Sequence, residues 1–210
     1  MPRNRIVAGV LAAAALAAGA AACSGDDGKG DAAVAPTASP APTLSMSGAP
    51  SAGLPFGPAC SAVQASGKGS FQGMSTDPVA TAASNNPVLS TLSGAVRKAG
   101  LAATLNSSKN ITVFAPTNDA FRKIPKATLD KAMADEKTLT SILTYHVVDK
   151  KVSPDGLGTG DFRTLNGARL KSSGSGDSYT VGKDANVVCG NVQTANATVY
   201  VIDGVLMPPE

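Results

Sequence analysis

Three features of this sequence predict an α+β domain. Apolar residues recur at helical spacing at Leu89, Leu92, Val96 and Ala99, and again at Leu139, Ile142 and Leu143. Further along, the pattern changes to short β-type runs, the last from Thr198 to Asp203. Between the two helical runs lies Ile111-Thr-Val-Phe-Ala-Pro-Thr-Asn-Asp-Ala-Phe121. Its first residues are β-branched and aromatic, as in a buried strand, and Pro116 ends the run because it has no N–H for a ladder. Helices gathered in one half and strands in the other point to α+β rather than alternating α/β.

The chain has 210 residues, enough for one domain with flanking segments. Met1 to Ala22 carries Arg3 and Arg5, an Ala/Leu/Val/Gly run and small residues before Cys23, which is the pattern of a signal peptide. The competing reading is a retained transmembrane helix, for which the apolar stretch Ile6 to Ala22 is marginal in length. Cys23 in that position, followed by Ser-Gly-Asp-Asp, resembles a bacterial lipobox, whose cysteine becomes the acylated N-terminus. That pattern prefers Leu three residues earlier, where this chain has Ala20.

Residues 23–55 then form a lipidated N-terminus and linker. Ser24 to Pro55 holds five prolines and no aromatic residue, so it buries too little to offset ordering entropy. Fully extended, the linker reaches about 100 Å. Without Arg3 and Arg5 the net charge falls from +3 to +1. No segment concentrates Lys and Arg, so nucleic acid is not an expected partner.

Residues 56–74 read as an N-terminal extension and 75–208 as the domain. Asp77-Pro78 and Asn86-Pro87 each predict a cap followed by proline at the first helical position. Gly100 is a stop for the helix after Asn86. Thr117 or Asn118 caps a short helix with Ala120, Phe121 and Ile124 facing inward, and Pro125 closes it. Thr128 to Ala134 is a further helix, and Asp135 caps the next, which runs into Tyr145-His146-Val-Val148. Phe162 to Leu165 and Ala168 to Lys171 flank Asn166-Gly167, predicted as a two-residue hairpin turn. Gly174 to Asp177 reads as a loop. Tyr179 to Gly182, Ala185 to Cys189 and Thr198 to Asp203 read as strands.

With Cys23 lipidated, Cys60 and Cys189 remain as an even pair in an exported chain. A bridge is the expectation; two buried free thiols are the alternative. The chain has one histidine, His146. No G-x-S-x-G, S-x-x-K or phosphate-loop motif occurs, and one His with a bridged Cys pair is too few for a zinc site. No catalytic residue, metal or cofactor is therefore expected. Tyr145-His146 is the one polar pair set among apolar residues. A half-buried imidazole there would hold the helix-to-strand junction through a backbone carbonyl or hydroxyl. Asn106, Asn110 and Asn196 stand in N-glycosylation patterns.

Thr112-Val-Phe-Ala-Pro-Thr-Asn-Asp-Ala-Phe121 resembles the first signature of the fasciclin domain. Ile142-Leu-Thr-Tyr-His-Val-Val148 is similar to its Tyr-His segment, and Val199-Tyr-Val-Ile-Asp-Gly-Val-Leu-Met-Pro208 to its second signature. Gln72 to Ala80 and Ala83 to Pro87 add a closer likeness to the secreted and lipid-anchored fasciclin proteins of mycobacteria and their relatives. The resemblance implies a twisted β-wedge with helices along one side and edge. It also implies a non-catalytic adhesion module on the outer face of the membrane, monomeric, with a surface or matrix protein or glycan as its unidentified partner. It makes Tyr145 and His146 candidate interaction residues. Animal fasciclin domains implicated in integrin binding carry an Asp-Ile pair where this chain has Asn191-Val192, so that partner is not carried over. Two other readings are a small-ligand or lipid-binding lipoprotein, which needs an apolar cavity, and a hydrolase using His146, which needs a nucleophile within reach.

Overall fold

The structure is a computed structural model that describes residues 53–209. The predicted signal peptide, Cys23 and nearly all of the linker lie outside the described residues. The helices are α1 Phe71–Thr76, α2 Val79–Asn85, α3 Ser90–Lys98, α4 Ala102–Ser107, α5 Asn118–Arg122, α6 Lys126–Ala134 and α7 Glu136–Tyr145. The strands are β1 Ile111–Pro116, β2 Val147–Val148, β3 Asp161–Arg163, β4 Arg169–Ser175, β5 Ser178–Val181, β6 Ala185–Gln193 and β7 Ala197–Ile202.

They form one sheet in the order β2-β1-β7-β6-β5-β4-β3. Only the β1–β7 pair is parallel. Just past β3, Thr164 bridges Val148 of β2, and the Leu165 N–H donates to the Val147 carbonyl at 2.8 Å. The two outermost strands thus meet at one end, and the sheet is a nearly closed wedge with little free edge.

β1 and β7 are buried along their whole length. Alternation splits their side chains between two cores. Ile111, Val113, Ala115, Val199 and Val201 face the helices. Phe114, Tyr200 and Ile202 face the wedge interior with Leu157, Leu170 and Val181. Phe114 and Tyr200 are register partners whose rings stack at 5.8 Å. A strand covered on both faces reads as a continuous apolar run, which is why this stretch is so prominent in the sequence. The expected helix stop at Gly100 is a full C-terminal motif: φ is +65°, the Gly100 N–H donates to Arg97 O and the Leu101 N–H to Val96 O.

Several local expectations are corrected. Asp77 does not cap α2. Its first N–H groups, on Val79 and Ala80, donate instead to the side-chain oxygens of Asn196 at 2.8 Å and Asn106 at 2.9 Å. Asn196 also donates to the carbonyls of Leu105 and Ser108, both at 2.7 Å, so one amide ties α2, α4 and the β6–β7 turn together. Asn196→Ala should lower stability by about 2–3 kcal/mol in denaturant unfolding, because it orphans the Val79 N–H of α2 and the carbonyls of Leu105 and Ser108 at the end of α4. A loss below about 0.5 kcal/mol would mean that water replaces it.

Asn166-Gly167 is not a two-residue turn. Thr164 N–H donates to Ala168 O, leaving Leu165, Asn166 and Gly167 in the loop with positive φ at Gly167 alone. The cause is the Leu165 N–H, which is engaged by β2 and not by β4. Gly174 to Asp177 is no loop either. β4 and β5 continue to the pair Ser175↔Ser178, around a two-residue turn with Gly176 at φ +62°.

The N-terminal extension completes the wedge. β6 pairs with β5 only through Ala185 and Asn186. Further along, Phe56 takes the vacant edge: its N–H donates to Gly190 O at 3.1 Å and its carbonyl accepts from Gly190 N–H at 2.7 Å. The Phe56 ring packs on Tyr179 at 5.6 Å. A Cβ on Gly190 would meet that ring at 2.3 Å, so the glycine makes room for it. Four residues on, Cys60 is disulfide-bonded to Cys189, with Cα atoms 4.8 Å apart.

Candidate functional site

Tyr145-His146 closes α7, and the helix is built to end there. Asp135 caps its start, accepting from the Lys137 N–H at 3.1 Å and from the Thr138 hydroxyl. Leu139, Leu143 and Tyr145 form the buried side. His146 is the C-cap, and β2 begins at the next residue. The His146 carbonyl accepts from Phe114 N–H at 2.8 Å, joining the junction to β1.

The imidazole is 2% exposed. Its Nδ1 lies 2.8 Å from the Ile142 carbonyl, and its Nε2 accepts from the Leu206 N–H at 2.9 Å. An acceptor is required at Nε2, so the proton sits on Nδ1 and the ring is neutral. Burial pulls its pKa down to about 4, although the Ile142 carbonyl favours the charged form. Both partners are backbone groups. The ring therefore links α7 to the C-terminal segment and has no nitrogen left for a substrate proton.

Tyr145 points the other way, into the wedge. It is 7% exposed, its hydroxyl donates to the Arg169 carbonyl of β4 at 3.1 Å, and burial raises its pKa. Neither candidate side chain presents a contact surface. Asn191 is also turned inward. It is a buried non-glycine residue with φ +57°, at an irregular point of β6, and donates to Leu54 O at 3.1 Å. The two sequon residues Asn106 and Asn196 are occupied as helix caps, and Asn110 is exposed at the entrance to β1.

Two apolar clefts flank His146. One lies under α6, between Phe121, Leu129, Met133 and Val205; the other lies between Val79, Leu92, Leu105 and Val147. They leave about 20 and 30 Å³ of free space, room for about one water each and far below a ligand pocket of roughly 300 Å³ or more. Among the described residues, no three His, Cys, Asp or Glu side chains converge as a metal site. No described helix is long and apolar enough to cross a membrane.

Residues 87–208 match the family model of the fasciclin domain. The chain belongs to the fasciclin domain family. Immunogenic protein MPB70 of Mycobacterium bovis is 52% identical over 166 residues, which cover 75% of this chain and 84% of the relative. Cell surface glycolipoprotein MPB83 of the same organism is 53% identical over 148 residues, covering 68% of this chain and 66% of the relative. Among solved structures, a FAS1 domain pair from the insect cell adhesion molecule Fasciclin I superposes with a TM-score of 0.53 at 20% identity. It covers 64% of this chain and 52% of that one, and shows the fold. The fasciclin match starts at residue 87, yet Phe56, the bridged Cys60, α1 and α2 pack on it, so this chain's folded unit extends further toward the N-terminus.

Neither the capping role of Asn106 and Asn196 nor the partnership of His146 with Leu206 has a signal in the local sequence. The contact partners of Asn196 and His146 lie 117 and 60 residues away, beyond any local pattern.

Proposed function

We propose that this fasciclin domain acts outside the cell as a non-catalytic adhesion or interaction module, held at the membrane through lipid on Cys23. The observation that carries the non-catalytic part is the state of His146. It is the chain's one histidine, it is buried, and both ring nitrogens are bonded to backbone. A hydrolase built on it would need a nucleophile hydrogen-bonded to the ring, and among the described residues its two hydrogen bonds go to the backbone of Ile142 and Leu206. The two clefts beside it are too small for a lipid or a drug-sized ligand. Binding then falls to the outer surface. The anchored location is supported by the lipobox-like Cys23 and by a relative named as a cell surface glycolipoprotein.

Cys23→Ala should shift the protein from the membrane fraction to a soluble or unprocessed pool, read by fractionation and immunoblotting in an actinobacterial host. Full retention in the membrane fraction, insensitive to a lipoprotein signal peptidase inhibitor, would identify the apolar N-terminal stretch as a retained helix and remove the lipid anchor from the proposal.

A further inference from the structure

The outer face of the β3–β6 half of the sheet is polar and charged, and the one exposed large apolar side chain beside it is Leu165, in the loop just past β3. Cross-strand register places Asp161 and Arg163 of β3, Arg169, Lys171 and Ser173 of β4, Thr180 of β5 and Asn186 of β6 on that one face. All are exposed except Thr180, which is half-buried. At its β3 end, Arg163 stands directly opposite Arg169, and Asp161 opposite Lys171. Like charges directly opposed across strands repel and cost stability. Asp161 is the only acid in this group, and it pairs with Arg169 at 3.2 Å. Arg163 and Lys171 have no carboxylate within ion-pair distance among the described residues. At the other end the face turns to hydroxyls and an amide: Ser173 opposes Thr180, whose hydroxyl donates to the Asn186 side-chain oxygen at 3.2 Å.

We propose that this face binds an acidic polysaccharide, a chain whose sugars carry carboxylate groups. The reading rests on the surface-binding function above and names its ligand class. Guanidinium groups match carboxylates two hydrogen bonds at a time, and a carboxylate seated between Arg163 and Arg169 relieves their repulsion. Neighbouring strands are about 4.8 Å apart, so successive cations and hydroxyls lie along a strip that a sugar chain can follow. The hydroxyl and amide end offers both donors and acceptors to sugar hydroxyls. A lipid bilayer is the poorer fit, because Leu165 alone is too little apolar surface at the rim of this charged face to hold it in an interface.

The test uses the full chain, polygalacturonate as probe and neutral dextran as control, with affinity electrophoresis as readout. The wild type should bind polygalacturonate and not dextran, with affinity falling as salt rises. Arg163→Ala with Arg169→Ala should weaken binding at least about tenfold. Lys131→Ala with Lys137→Ala removes the same charge from the exposed sides of α6 and α7 and should change it less than about twofold. Equal losses in the two double variants would reduce the effect to net charge and overturn the site. So would unchanged binding in the arginine variant combined with new self-association, which would mean that the arginines only keep the β3 edge from pairing. If wild type ignores polygalacturonate but is still recovered on bacterial or host surfaces, the ligand class fails and the adhesion function stands. If it binds neither, both fail.

Discussion

Replacing Cys60 and Cys189 together with serine should lower the stability of the domain by up to about 5 kcal/mol. The bridge closes a loop with a sequence separation of 129. On the chain-entropy account, a loop of that length restricts the unfolded chain strongly. The folded side has an equally specific consequence. The 3-10 turn Pro58–Ala62 buries none of its residues. Without the bridge, this part of the extension is held by Phe56, Val63 and the two Phe56–Gly190 hydrogen bonds. Amide exchange should therefore rise first at residues 56–63 and at Gly190, before global unfolding. Guanidine unfolding of the oxidised, reduced and double-serine forms measures the first effect, and hydrogen exchange the second. Equal midpoints for oxidised and reduced protein would show that the bridge is an ornament on an already complete domain.

The second large effect is pH dependence. His146 is neutral in the folded domain down to about 4, against an ordinary value of 6.5. Above pH 6.5 neither the folded nor the unfolded chain holds the proton, and the full stability is present. As pH falls below 6.5, the unfolded chain binds a proton that the folded one refuses. Stability then drops with each step toward pH 4, by about 3 kcal/mol in total. Charging the ring would also set an Nε2 proton against the Leu206 N–H. Asp135 and Asp203 act in a lower window. The Thr138 hydroxyl and Lys137 N–H lower the Asp135 pKa. For Asp203, burial pushes the value up, but the Asn186 N–H and Lys123 more than offset it. Their contribution is lost only as pH falls below the usual carboxylate value of 3.8. His146→Ala should cost about 1–3 kcal/mol at pH 7 and flatten the curve between pH 6.5 and 4. Urea unfolding across that range, with variant and wild type in parallel, reads both.

The legible parts of the fold were those in which one local signal sufficed. β1 and β7 are buried on both faces, so Ile111 to Pro116 and Thr198 to Ile202 stand out by composition. Gly100 and Asp135 end and begin helices by backbone chemistry that is visible in a few residues. α1 and α4 were not legible. Each has six residues with one buried apolar side chain, Met74 or Leu105, too little to show a helical period. The start of α2 was misread because its cap is supplied by Asn196, from the far end of the domain. Thr117 and Asn118 were equivalent as caps in the sequence. The structure gives the cap to Thr117, while Asn118 accepts from the Thr91 N–H at 2.9 Å and so joins α5 to α3. At the candidate site, the apolar neighbours of His146 pointed to burial. Its acceptor partner on Leu206 belongs to a segment without secondary structure, and no pattern announces it.

Tyr145-His146 joins three parts of the fold: His146 bonds α7 to the C-terminal segment, and Tyr145 bonds it to β4. Because His146 is the only histidine in the chain, its ring signals can be followed without ambiguity by nitrogen-detected NMR as pH is lowered. The expected result is a neutral ring protonated at Nδ1, with Nε2 a hydrogen-bond acceptor, unchanged from pH 8 down to about pH 5 and titrating only near 4, where the domain begins to unfold. A ring that titrates freely near 6.5 while the domain stays folded would contradict it. That result would place the imidazole in solvent and return Tyr145-His146 to the protein's recognition surface.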